Sequence, residues 1–410
     1  MTVAGMIRKW NSFFFDVASP MPVALYRIFF GILNILNLWL MSPDWLAYFG
    51  PHSIVTRDTM RRLTLGPRIN LLVHLPDSPF VVNTFFWVFI AVAVLVTIGF
   101  MTRLATIVLY LCLMSLQMRN VYILNGGDTL LRVCGFFLMF APAGAAISVD
   151  RLLRIWRGAE GVAIPESSPW AQRLLQIQAS IVYFTTFWWK TLGKTWMAGT
   201  AVYYALHLQE IGRFPIPGMH SPLVMKIATW GTLVVEFSAG VLVWFRDLRY
   251  FVLLAVIGLH LGIEYSMNLP LFEWITMATL ITFVDPVDLS RAWAWIRRRV
   301  GPHIGMIRIV VYDPVLPSSL WAANVLRVID IFGRLRLVEI TAPEALSLVP
   351  DYIPGISRER PVLILAPSGA HVGFAAVIAV SPVIPLLWPL VPLATFARES
   401  HVVPGAASAA

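Results

Sequence analysis

The sequence predicts an all-α polytopic membrane bundle of about eight helices, followed by a small α/β domain. Three observations predict it. Hydrophobic residues make up 58% of the 410 residues and charged residues only 13%, with a mean hydropathy of +0.74. A soluble domain carries roughly 25% charged residues, and half that density cannot cover a water-soluble globule of this length. Apolar runs of membrane length recur between residues 21 and 286. After Pro286 the pattern shifts to short apolar runs bounded by turn residues. A soluble enzyme and a disordered chain are therefore excluded.

Residues 1–20 read as a cytoplasmic N-terminal segment. Arg8 and Lys9 precede only the short run Phe13 to Phe15, stopped by Asp16, so no cleavable signal is expected. A spanning helix needs about 20 mostly apolar residues. Eight segments supply or approach that length: 21–42, 80–102, 104–118, 129–147, 171–190, 223–245, 249–267 and 269–284. The stretch 43–79 is polar and rich in Pro, His and Arg. In the connection 191–222, Ala198–Ile211 reads as a surface helix. Residues 287–303 form a basic linker. The C-terminal domain, 304–410, opens with a strand over Met306–Tyr312 and a turn over Asp313–Ser318. A helix over Ser319–Phe332 and strands over Leu335–Thr341 and Val362–Ala366 follow. The apolar tail from Val383 lies among Pro382, Pro385, Pro389 and Pro392, which argue against a span.

The 31 Lys+Arg exceed the 22 Asp+Glu, a net charge of +9. In a membrane protein this excess marks topology, because cytoplasmic loops collect Lys and Arg. With the amino terminus inside and eight spans, the inner side gathers 13 basic residues, Arg8, Lys9, Arg103, Arg151, Arg154, Arg157, Arg173, Arg246, Arg249, Arg291 and the strongest cluster, Arg297 to Arg299, at the last exit. The outer side gathers 10: Arg57, Arg61, Arg62, Arg68, Arg119, Arg132, Lys190, Lys194, Arg213 and Lys226. Both termini are then cytoplasmic. That basic cluster lies beside an apolar segment, so nucleic acid is not an expected partner; the expected one is lipid. Cys112 and Cys134 permit at most one disulfide.

A charge at the bilayer centre costs about 2.5–3.5 kcal/mol on insertion scales, so each intramembrane ionisable group is a candidate site. Arg27 lies in the first span, Glu236 in the sixth, and His260 and Glu264 share one face of the seventh. Asp128 and Arg132 share a face of the fourth and read as a structural pair. Lys190 ends the fifth after Phe184, Phe187, Trp188 and Trp189. It reads either as a lysine snorkelling to the interface or as a base whose neutral form aromatic surroundings favour. One His with one carboxylate predicts no metal centre.

Several phrases together resemble one family. They are Arg27-Ile28-Phe29-Phe30-Gly31, Ile98-Gly99-Phe100-Met101-Thr102-Arg103, Arg119 to Asp128, Ser148-Val149-Asp150, Tyr183-Phe184, Lys190, Trp196, Gly199-Thr200-Ala201, Glu236 and His260-Leu261-Gly262. The segment 21–286 resembles the HTTM family, bacterial relatives of vitamin K-dependent γ-carboxylase. The resemblance implies reduced-quinone chemistry (menaquinone or a vitamin K-like quinone) on the periplasmic side of a bacterial inner membrane. It implies Lys190 as the base, with His260, Glu264, Glu236, Asn120, Asn125, Asp128 and Arg27 as relay or pocket groups. Where the carboxylase branch has a histidine this chain has Asn120, so quinol chemistry without carboxylation stands beside carboxylation. A non-catalytic membrane protein binding a lipid or partner, and a transporter, are the rival readings. Val311-Tyr312-Asp313 resembles the start of the DCC family, thioredoxin-like domains with a Cys-x-x-Cys motif. Its two cysteine positions here read Leu316 and Ser319, so no dithiol exchange is expected.

Overall fold

An apolar segment in lipid must satisfy its own backbone polar groups, which a helix does. All eight apolar segments are accordingly helical in whole or part. The computed structural model describes residues 2–63, 69–348, 356, 360–367 and 369–395, the side chains of 346 and 393–395 excepted. Arg68 and the tail beyond Thr395 lie outside the described residues. One compact unit comprises Met1–Ser148 with Pro165–Asp285, and a second comprises Val149–Ile164 with Pro286–Ala410.

The first unit runs α1 (Val3–Phe15), α2 (Met21–Met41), α3 (Pro79–Ile98), α4 (Thr102–Arg119), α5 (Gly126–Leu138), α6 (Trp170–Thr191), α7 (Pro222–Gly240), α8 (Arg246–Ser266) and α9 (Phe272–Leu280). Among the described residues, four helices are long and apolar enough to cross a membrane: Met21–Phe49, Pro79–Ile98, Pro222–Gly240 and Arg246–Ser266. The sequence count gave eight. The difference has a physical reason. With 13 and 9 residues, α5 and α9 reach only about 20 and 14 Å at 1.5 Å per residue, against a hydrocarbon core of ~30 Å. The helices α4 and α6 are long enough but carry Arg103, Gln117 and Arg119, and Gln172, Arg173, Gln176 and Lys190. Exposed apolar residues on these helices, such as Trp87 on α3, Val234 on α7 and Phe251 and Leu254 on α8, are compatible with lipid contact.

Local chemistry sets the ends of these helices. Ser78 caps α3 by accepting from the Val81 N–H at 3.3 Å, and Pro79 sits at the first turn. The helix ends at Gly99, φ +70, where an added Cβ would lie 2.3 Å from Arg27 Nη1. Of the expected surface helix Ala198–Ile211 only Ala201–Leu206 is helical, and Gly199, φ +74, separates it from the preceding turn Lys194–Met197. Rings of α2 and α3, including Tyr26, Phe30 and Phe89, pack with Leu109 and Leu113 of α4 in one core. A smaller core, with Ala179, Tyr183, Ala239, Val256 and Phe283, lies among α6, α7, α8 and the turn after α9.

The second unit contains the short helix Val149–Trp156, α10 (Pro286–Ile304), α11 (Pro317–Ile329), α12 (Phe374–Val380) and four strands, β1 (Arg308–Tyr312), β2 (Leu335–Glu339), β3 (Val362–Ala366) and β4 (Gly369–Val372). The sheet order is β2-β1-β3-β4. Strands β1 and β2 are parallel, with Val310 opposite Leu337, while β3 is antiparallel to β1 and to β4. Val383, Ile384 and Leu387 of the Pro-rich tail pack against Val310 and Ile364 of this sheet. Ser319 is buried, and its Oγ accepts from the Asp313 N–H at 2.8 Å, closing the turn before α11.

Candidate functional site

Tyr183 and Lys190 lie seven residues apart on α6, so they occupy one face two turns apart. At its end of that face, Lys190 does not snorkel outward. Its Nζ pairs with Glu236 Oε1 on α7 and lies 4.8 Å from the centre of the Trp196 ring. A cation over an aromatic face is attracted by the ring quadrupole. Glu236 is buried; its second oxygen, Oε2, has no hydrogen-bond partner by geometry among the described residues, and the hydroxyl that interacts with this carboxylate, Thr186, donates instead to Tyr183 O. Trp188 and Trp189, expected as aromatic cover, are both exposed; the ring against Nζ is Trp196.

A second polar chain lies beside the first. The Tyr183 hydroxyl is 2.8 Å from His260 Nε2, and His260 Nδ1 pairs with Glu273 on α9. Tyr183, His260 and Glu273 are all buried, Glu273 completely. Where Nδ1 carries the hydrogen toward Glu273, Nε2 is the acceptor and Tyr183 donates to it. Glu273 Oε1 is likewise buried without a partner among the described residues. The two chains interact electrostatically, Glu236 with His260 and Tyr183 with Glu236. Below them, Thr276, Thr279 and Thr282 turn their hydroxyls back to carbonyls of their own helical segment.

The other sequence candidates lie elsewhere. Glu264 shares a helix face with His260 but pairs with Arg213 at 2.8 Å. Asp128 makes no ion-pair contact with Arg132 within 4.0 Å among the described residues, although the two charges interact. It accepts from the Asn125 N–H at 2.9 Å, in a capping box at the start of α5, and from Asn37 at 3.3 Å. Asn125 caps the same turn, and Asn120 bonds Tyr48 O and Tyr122 N. Arg27 is buried and donates to the carbonyls of Thr97, Ala143 and Ile147, holding the turn after α3 to the 143–147 segment. These residues build the framework. Sequence reasoning missed Glu273, although it was the one acid inside the apolar run 269–284, and it used Tyr183 only as a landmark.

A family model described as the HTTM domain matches residues 15–287. That range contains both polar chains. The chain belongs to the HTTM domain family. It is a membrane protein related to the γ-carboxylase family. The chain is also similar to the "Uncharacterized protein YitO" of Bacillus subtilis (strain 168), 28% identical over 228 residues, which cover 53% of this chain and 71% of the relative. No solved structure matches this chain. Near the site, an apolar groove of about 510 Å³ runs along α6 past Ser180, Ile181 and Phe184 to Val241 and Trp244, with Phe13 at one side. It neighbours Tyr183 in sequence but holds none of the ionisable groups.

Proposed function

We propose that this HTTM protein is a proton-transferring membrane enzyme acting on a reduced quinone, with Lys190 as the proton acceptor. The observation that carries the reading is the inward Lys190–Glu236 pair with one carboxylate oxygen left without a donor. Buried polar groups in native proteins are normally satisfied, and each exception asks for an explanation. A ligand hydroxyl would satisfy Glu236 Oε2, so the residues present fit a hydroquinone. Bound there, a hydroquinone supplies two phenolic hydroxyls and two reducing electrons. Lys190 and Glu236 hold one proton between Nζ and Oε1. When Glu236 holds it, the Lys190 amine is free to accept another. Trp196 fixes Nζ from its far side. The apolar groove along α6 suits the isoprenoid tail of such a ligand.

The surroundings of this reading are proposals as well. The basic cluster Arg297 to Arg299 supports a bacterial plasma membrane location with both termini cytoplasmic. The parallel β1–α11–β2 unit followed by the β3–β4 hairpin and α12 supports a thioredoxin-like second unit without thiol chemistry.

The test is mass spectrometry of lipids that co-purify with the wild type and with Glu236→Gln. A quinone retained by the wild type and depleted at least fivefold in the variant supports the reading. Equal retention, or no quinone with either, favours the lipid-binding or transport alternatives.

A further inference from the structure

The Lys190–Glu236 pair accounts for one proton, yet the site holds a second set of buried ionisable groups that this reading leaves idle. Tyr183, His260 and Glu273 come from three helices, α6, α8 and α9, and meet in a single line. Burying them is costly unless they are paired, and a structural pair would need only two of the three. The order is that of a reacting hydroxyl, a base and a group that orients the base. Glu273 has one oxygen on His260 and no other donor among the described residues, so nothing competes with His260 for its charge. The charged group facing the line from another helix is Glu236 of α7, which interacts with Tyr183 and His260 and is itself paired with Lys190 of α6.

We propose that Tyr183, His260 and Glu273 form a second proton-transfer unit, which serves the second hydroxyl of a two-hydroxyl aromatic ligand whose first hydroxyl is served by Lys190. The proposal rests on the quinol reading for its ligand but not for its chemistry. The Tyr183 O–H bond breaks, an N–H bond forms at His260 Nε2, and the electron pair stays on the phenolic oxygen. Glu273 holds the resulting imidazolium. The Tyr183 oxygen then takes the proton of the ligand hydroxyl, so that one proton has moved from ligand to His260. Glu273 is a positioning residue, because it acts through the His260 tautomer.

Two measurements on the full chain in lipid nanodiscs test this. The first needs no ligand: 15N NMR of labelled histidine, with His260 assigned by comparison with His260→Asn. The wild type should show a protonated Nδ1 and an Nε2 hydrogen-bonded as acceptor. Glu273→Gln should change the tautomer, and Tyr183→Phe should remove the Nε2 hydrogen bond. Unchanged His260 signals in both variants would overturn the proposal. The second is anaerobic binding of menadiol (2-methyl-1,4-naphthohydroquinone) and its monomethyl ether, read by tryptophan fluorescence. Tyr183→Phe should weaken menadiol at least tenfold while leaving the ether, with one hydroxyl, within twofold. Equal weakening of both, or of neither, would overturn the two-hydroxyl proposal. If the wild type binds neither ligand, the quinol reading fails, and the histidine spectra alone decide whether the proton unit stands.

Discussion

Replacing Lys190 and Glu236 singly and together measures whether their contact is an energetic unit. Glu236 is buried, while the Lys190 side chain keeps 26% of its exposure and also has Trp196. The two single changes are therefore unequal. Lys190→Met leaves a buried carboxylate without its cation and with the Thr186 hydroxyl as its neighbour, and breaking a buried pair from that side costs about 3 kcal/mol. Glu236→Gln leaves an ammonium that still reaches water and an aromatic face, at a cost of about 1.5 kcal/mol. The double replacement removes both charges and should cost about 2 kcal/mol, mostly lost packing. The cycle then closes with a coupling of about 2.5 kcal/mol. Neutral hydrogen bonds between membrane helices average only ~0.6 kcal/mol in such cycles, so the two cases are separable. The assay is unfolding of the purified protein in mixed micelles titrated with a denaturing detergent. Additivity within ~0.5 kcal/mol would refute the pairing, and a larger cost for Glu236→Gln than for Lys190→Met would refute the burial argument.

Three further outcomes follow from the same structure. Ser319→Ala should destabilise the second unit by about 1 kcal/mol, because the half-buried Asp313 N–H loses its side-chain acceptor; urea unfolding followed by Trp321 fluorescence decides. Burial, aided by Arg308, holds the His371 imidazole on β4 below its usual 6.5. Its unfolded form thus binds protons more readily, so its contribution is present above pH ~6.5 and is lost as pH falls below that value. Hydrogen exchange of β3 and β4, corrected for intrinsic rates, should show protection falling below pH 6.5 in the wild type and a flatter profile in His371→Gln. For topology, Ser53 is a poor labelling site because it is buried under Arg119. Ile54, 77% exposed, is better: Ile54→Cys should react with an impermeant maleimide in intact cells and Ser290→Cys should not. The reverse pattern would overturn the proposed orientation.

How much of this was legible depended on the kind of signal. The positions of α2, α3, α7 and α8 followed from length and hydropathy, because a membrane-length apolar run has no other stable form. Strand β4, Gly369–Val372, was missed because GAHV is short and only half apolar. In the site, Lys190, Glu236 and His260 stood out as charges in apolar runs. Their partners did not. Four-residue spacing establishes a shared helix face, yet it grouped His260 with Glu264 when the true partner was Glu273 on another helix. The same spacing suggested Asp128–Arg132, whereas the Asn125 side chain and backbone, present at the helix start, made a cap more favourable. Pairings across helices are set by tertiary packing, and spacing along one helix carries no record of it.

The most direct measurement of the central claim is Lys190→Arg, compared with wild type in menadiol oxidation by the protein in nanodiscs. Arginine keeps the charge, and in that position it retains a partner in Glu236 and a ring in Trp196, but a guanidinium does not give up its proton in a protein. If Lys190 is the proton acceptor, the arginine variant should be folded and lose activity at least a hundredfold, with part of the rate restored to Lys190→Ala by an added primary amine. Activity of the arginine variant within a few-fold of wild type would contradict the account and leave Lys190 as one half of a structural ion pair.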